Sequence, residues 1–389
     1  MDINIILIPV VIILVVVLLV WRLRASSQNK DYSNTLLKVR KKRQGSIYSN
    51  IQPTNKIVDA VSKKTPESVK AEPAPAPPED FMEIALTSYA SYQQTVKAQT
   101  EFQSLRKPHP LLMSLSRSIT DAQELINIIK GDPELVAKVL NMANSPFFGL
   151  RKPITDINHA VIYLGIAQVK NLATQFAISQ SFEFSSQSQQ DAYDKIWKTS
   201  FIASSLALLI AREADLENPS ALSTRCLLGY LGDIAMLSKE PQVANLYLPT
   251  MTFYKRVRAM QAMLNTNAAA MGGVFAQHLQ LPSEIHVGIG LGYQCMTNDW
   301  EGIDITIEEK RDIIFCYAVS RMAEFVVLEN DADYLKAPSL DYERVHRPEL
   351  FQLSQQLKDT GIAGIEKVIA SAQFKAKSAD MIANLQYAF

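Results

Sequence analysis

Two hydrophobic patterns follow one another along this chain. From Ile3 to Trp21 the sequence INIILIPVVIILVVVLLVW carries one polar side chain, Asn4. As a helix this run spans about 28 Å, close to the thickness of a bilayer's hydrocarbon core. It predicts a transmembrane anchor over residues 1–24, with Pro9 in its first third and Trp21 at the interface. A cleaved signal peptide is the competing reading. It calls for a basic segment before the apolar run, whereas here Asp2 precedes it and Arg22, Arg24 and Lys30 follow.

Beyond residue 80 the apolar positions recur at helical spacing between Pro, Gly and capping signals. Nothing sustains strand-like alternation, so the expected class is all-α, a compact multi-helix globule. The pattern predicts a helix over 81–105 and another over 120–130, opened by a Thr120–Gln123 capping box and closed by Gly131. Asp132 then caps a helix with Pro133 at its first position and the stripe Val136, Val139, Leu140 and Ala143. Helices follow over 155–164 and 169–181, parted by Gly165. Further ones are expected over 192–214, 221–238, 250–264, 266–281, 283–297, 307–329, 348–357 and 363–387.

Between anchor and globule, residues 25–80 read as a tether, first basic (Lys38, Arg40, Lys41, Lys42, Arg43) and then Pro-rich (ESVKAEPAPAPPED). Too few large apolar side chains stand here to offset the entropy of ordering. The formal net charge of the 389 residues is zero, yet residues 1–64 hold 11 Lys/Arg against 3 Asp/Glu. That asymmetry predicts an amino terminus outside and the bulk of the chain in the cytoplasm, on the inner side of the membrane. Lys38–Arg43 either touch anionic lipid or only fix topology. No aromatic or fold context accompanies them, so nucleic acid is not an expected partner.

The three cysteines, Cys226, Cys295 and Cys316, form no CxxC pair, and the five histidines show no metal-binding spacing. Gly288-Ile289-Gly290-Leu291-Gly292 lacks the spacing and strand context of a dinucleotide fingerprint, and reads as close helix packing. No cofactor is expected.

One stretch carries a resemblance. Asp132-Pro133-Glu134-Leu135, then Leu140 to Gly149 (LNMANSPFFG), Pro153-Ile154, Ala160, Leu164-Gly165 and Val169-Lys170-Asn171-Leu172 together resemble the HDOD domain. The signature core covers 108–295 within a domain expected over 81–299, followed by a C-terminal helical region, 300–389. That last region either completes the core or forms a separate bundle. HDOD domains are related to HD-type metal-dependent phosphohydrolases. The resemblance places Thr199 and Gly232 where those enzymes carry histidines, Ala268 in a further histidine position, and Tyr293-Gln294 where a His-His pair often stands. Only Asp233 remains of the His-Asp pair, and one carboxylate cannot hold a catalytic metal.

Asp233, with Thr199 as its expected partner, is then either a packing carboxylate or the remnant of a ligand pocket. Asp132, Pro133, Asn144, Ser145, Phe147, Phe148, Gly149 and Gly165 are expected to be structural, with Asn144 and Ser145 bonding backbone groups and the two Phe plugging the core. The implied function is that of a pseudoenzyme: a membrane-tethered signalling or scaffold protein whose domain binds a protein partner or small ligand. The alternative is a metal-dependent phosphohydrolase acting on nucleotides or phosphodiesters.

Overall fold

A computed structural model describes Pro78, residues 88–93, 110–148 except 118, 150, and 152–385 except 332. The expected anchor (Ile3–Trp21), the basic cluster Lys38–Arg43, most of the Pro-rich tether, the helix over 81–105 apart from 88–93, and Gly149 lie outside the described residues.

Every regular element described is a helix. The first half holds α1 (Tyr89–Gln93), α2 (Leu112–Ser116), α3 (Ala122–Lys130), α4 (Pro133–Ala143), α5 (Ile157–Leu164), α6 (Ile166–Ser179) and α7 (Gln187–Glu213). Next come α8 (Pro219–Leu228), α9 (Leu231–Lys239), α10 (Phe253–Leu264), α11 (Ala268–His278), α12 (Ser283–Gly290) and α13 (Gln294–Thr297). The chain continues with α14 (Ile307–Val327), α15 (Tyr342–Val345), α16 (Leu353–Asp359), α17 (Gly364–Ala370) and α18 (Ala372–Leu385). Short 3-10 turns cover Pro146–Phe148, Pro241–Tyr247, Tyr334–Lys336 and Pro348–Leu350. Among the described residues, no helix is long and apolar enough to cross a membrane.

Local chemistry accounts for the boundaries. Asp132 accepts from the Glu134 and Leu135 amides at 2.9 and 3.0 Å, with Pro133 at the first helical position. The cap of α3 is Asp121, not Thr120: its carboxylate accepts from the Gln123 and Glu124 amides, and a carboxylate also answers the positive end of the helix. Gly131 follows with φ −65°, so it ends α3 without using its freedom for positive φ. Gly165 does use that freedom: at φ +85° it turns α5 into α6. Several expected helices are shorter or broken. The one over 221–238 divides at Gly229-Tyr230, that over 283–297 after Gly290, and that over 363–387 at Ser371. In contrast α7 starts five residues early, because Ser186 caps it.

The long helix α7 is the axis. Its central face, from Thr199 to Leu208, is buried. Against it pack α8 and, from the far end of the chain, α14. A single apolar core runs from Tyr89 to Ile382, so residues beyond 300 share the core of those before. On another side α9 lies on α11, and α11 on α12. Glycine permits this approach. A Cβ on Gly232 would fall inside the van der Waals shell of the Ala268 carbonyl oxygen and 2.8 Å from the Gly272 amide nitrogen. Gly273 and Gly290 leave room for the Tyr89 ring, whose hydroxyl meets His286 Nδ1 at 3.2 Å.

Candidate functional site

Asp233 sits in the first turn of α9, 5% exposed. Its carboxylate accepts a hydrogen bond of 2.8 Å from the Tyr247 hydroxyl. The expected partner, Thr199, makes a different bond: it donates to the Lys195 carbonyl of its own helix at 2.7 Å. Back-bonding of this kind is the cheapest way for a buried threonine in a helix to satisfy its hydroxyl. Thr199 and Asp233 are therefore not joined by a hydrogen bond, and Tyr247 takes the place assigned to Thr199.

Three charges from two other helices face Asp233. Arg256 of α10 pairs with Glu324 of α14, and both are almost fully buried. Arg321, one turn before Glu324, donates to the same carboxylate at 2.9 and 3.2 Å. Glu324 thus holds two guanidiniums at once. Aromatic rings enclose them. Arg321 lies 3.3 Å from the Phe253 ring centroid and 5.0 Å from that of Tyr317, and Arg256 is over Tyr247 and Phe253 at 5.4 and 5.5 Å. Stacked guanidiniums keep their faces dry and leave only their edges for hydrogen bonding.

Burial pushes the Asp233 carboxyl up to about 6, while the nearby Arg256 pulls it back. Burial pushes Glu349 up to about 7. Its carboxylate oxygens are both buried without a protein partner, although its carbonyl accepts from the Tyr317 hydroxyl at 2.7 Å. For Arg256, burial opposes the charge, yet Glu324, Tyr247 and Asp233 together hold the guanidinium protonated.

These residues do not fit the divalent metal of an HD-type hydrolase. Such an ion needs several carboxylates and imidazoles converging with free lone pairs. Here Asp233 is engaged by Tyr247, Glu324 by two arginines, and two guanidiniums repel any incoming cation. Among the described residues no group of three or more His, Cys, Asp or Glu comes together to hold a metal. The packing of Gly232 on the Ala268 backbone also leaves no space for a side chain at position 232.

The signature motif forms a different arrangement. Asn144 ends α4; its side-chain amide donates to the Leu140 and Ile154 carbonyls at 2.9 and 2.7 Å and accepts from the Ile154 amide at 2.6 Å. This clamp closes the loop to α5. Ser145 departs from expectation: its hydroxyl is buried with no protein partner. Phe147 and Phe148 stack edge-on with Phe201 of α7, at 4.8 and 6.1 Å, and α18 packs across their turn. A second polar network, unforeseen in the sequence, centres on Asn171. It donates to Ser204 and Ser223 and accepts from Thr224, joining α6, α7 and α8. Neither this network nor Arg256, Arg321, Glu324 and Tyr247 stood out from the sequence. The available signal was a charged pair three residues apart, Arg321 and Glu324, inside the mostly apolar stretch 313–327 of α14.

Beside the buried charges opens a small, half-open cleft between α8, α12 and α14. Arg321 and Ser320 line it together with Tyr293, Tyr317 and the glycines Gly288 and Gly292. The ion pair Arg225–Asp312, at 2.6 Å, also borders it.

Comparison with known proteins agrees with the fold. Residues 109–294 match the HDOD domain family. A crystal structure of an HDOD domain protein of unknown function from Geobacter sulfurreducens superposes with a TM-score of 0.54 at 18% identity, over 75% of this chain and 97% of that one. A structure from Shewanella amazonensis SB2B that carries a provisional phosphohydrolase name gives a TM-score of 0.49 at 17% identity, over 75% of this chain and 99% of that one. An uncharacterized protein of Treponema pallidum (strain Nichols) is 23% identical over 184 residues, 45% of this chain. The match spans about a third, 34%, of that relative's length.

Proposed function

Residues 109–294 are an HDOD domain, and from that premise we propose that the protein is a non-enzymatic binding module of a signalling or scaffolding system, tethered to the inner membrane. One observation carries the reading: where a metallohydrolase would gather ligands, Glu324 is engaged by two buried arginines and Asp233 by a tyrosine. Both carboxylates, Asp233 and Glu324, are taken up by protein donors, which leaves neither poised to hold a metal that would activate water. The apolar run Ile3–Trp21 and the basic residues after it support the tether and the cytoplasmic placement of the domain. The partner is a protein or a small ligand.

The test combines metal analysis of the purified full chain with assays on nucleotides and phosphodiesters, with and without added manganese. The expected result is no stoichiometric metal and no turnover that a chelator abolishes. Stoichiometric manganese, iron or zinc together with chelator-sensitive hydrolysis would establish the phosphohydrolase instead. Crosslinking capture from membranes, with the full chain and with a form lacking residues 1–24, then separates partner choice from location.

A further inference from the structure

The cleft between α8, α12 and α14 has a charged floor that the buried network does not use up. Arg321 lines this cleft and is 4% exposed. Both of its terminal nitrogens donate to Glu324, and its faces meet Phe253 and Tyr317. Its Nε–H is buried with no partner. A buried, unpaired charged donor costs stability, so such a group marks a place where an acceptor is missing. Ser320 and Tyr293 belong to the same lining.

The remaining walls are mostly apolar, from Cys226, Ala269, Ile289 and Ile313 among others. Gly288 keeps the space open: a Cβ there would meet nothing closer than Ile313 Cγ1 at 3.9 Å. The glycine-rich segment 288–292 therefore does two jobs. Gly290 receives the Tyr89 ring, whereas Gly288 and Gly292 shape the cleft.

Resting on the reading of a binding module, we propose that this cleft binds a small organic carboxylate with an apolar body, its carboxylate seated on the Nε–H of Arg321. Charge selects a monoanion. Arg321 offers one unpartnered donor, and Arg256 and Arg321 already face Glu324 and Asp233, so the larger desolvation cost of a phosphate dianion would go unanswered in this interior. The Arg225–Asp312 pair balances itself at the border and adds no net charge. The apolar walls ask for a hydrocarbon or aromatic body in place of a sugar or polyol.

Isothermal titration of the full chain with benzoate and hexanoate, each against its neutral amide, tests this. The acids are expected to bind more tightly than the amides by about tenfold or more, the worth of a charge-assisted hydrogen bond. Gly288→Leu, which fills the cleft without touching the charges, is expected to abolish binding while leaving the circular dichroism spectrum unchanged. A measurement on the unaltered chain stands beside it. Cys316 lines the cleft and is partly exposed, so saturating benzoate is expected to slow its alkylation by N-ethylmaleimide, and benzamide is not. Equal binding of acid and amide, no binding at millimolar concentration, or equal protection of Cys316 by both would overturn the assignment. Metal-dependent turnover would remove the non-enzymatic reading and leave a positive binding result standing. Absent binding would remove the cleft assignment alone.

Discussion

Gly232 and Ala268 touch backbone to backbone, and a single added carbon on Gly232 would collide with the Ala268 carbonyl. Gly232→Ala is expected to unfold the domain or lower its melting temperature severely, since the atoms the new carbon would meet belong to the backbone and cannot swing away. Gly364→Ala, with nothing within 4 Å of the new carbon, is expected to be neutral or slightly stabilising. Thermal melts of the two variants check the contrast. Gly232→His is expected to behave like Gly232→Ala and to bring no metal binding.

Glu324 is the hub of the buried charges, and the cost of removing each member follows from who is left behind. Glu324→Gln strands two guanidiniums and is expected to cost about 3–5 kcal/mol or more, the usual penalty for breaking a buried pair. Arg256→Met leaves Glu324 still held by Arg321 through two hydrogen bonds and is expected to cost less. Urea denaturation of both variants measures the order; a larger loss for Arg256→Met would contradict it.

Acid is expected to favour the folded state. Burial raises Asp233 from 3.8 to about 6 and Glu349 from 4.5 to about 7. The native state therefore binds protons more tightly than the unfolded chain, and the stability this confers is full below about pH 4. It is lost as pH rises through 6 and 7. Asp233→Asn and Glu349→Gln are each expected to flatten this fall, as read by denaturation midpoints from pH 4 to 8.

Tyr247→Phe removes the hydrogen bond that favours ionised Asp233. The variant is expected to raise the Asp233 carboxyl above its present value and to destabilise by about 1–3 kcal/mol. The loss is expected to be larger at pH 8, where the carboxylate is charged and unpaired, than at pH 5. Carboxyl resonances followed by NMR report the direction of the shift.

The helical class and the signature motif were legible in the sequence because they rest on local signals. Asp132 caps α4 and Gly165 turns the chain at positive φ through chemistry confined to a few neighbours. Breaks at Gly229, Gly290 and Ser371 were less legible, since tertiary packing decides whether a helix continues through a glycine or a serine. The partner of Asp233 was hidden for a similar reason. Tyr247 is 14 residues away in a 3-10 turn, and no periodicity connects it to α9. Arg256 and Glu324 are 68 residues apart. A pair of that kind declares itself only when two helices are brought side by side.

That distance has a practical meaning for how the protein is cut and inherited. The family match ends at residue 294, but the carboxylate that answers Arg256 arrives thirty residues later on α14. A fragment trimmed to the recognised boundary would keep Arg256 and lose the carboxylate it pairs with. Any gene fusion or excision that respects the motif and discards the tail would deliver a domain unable to close on itself.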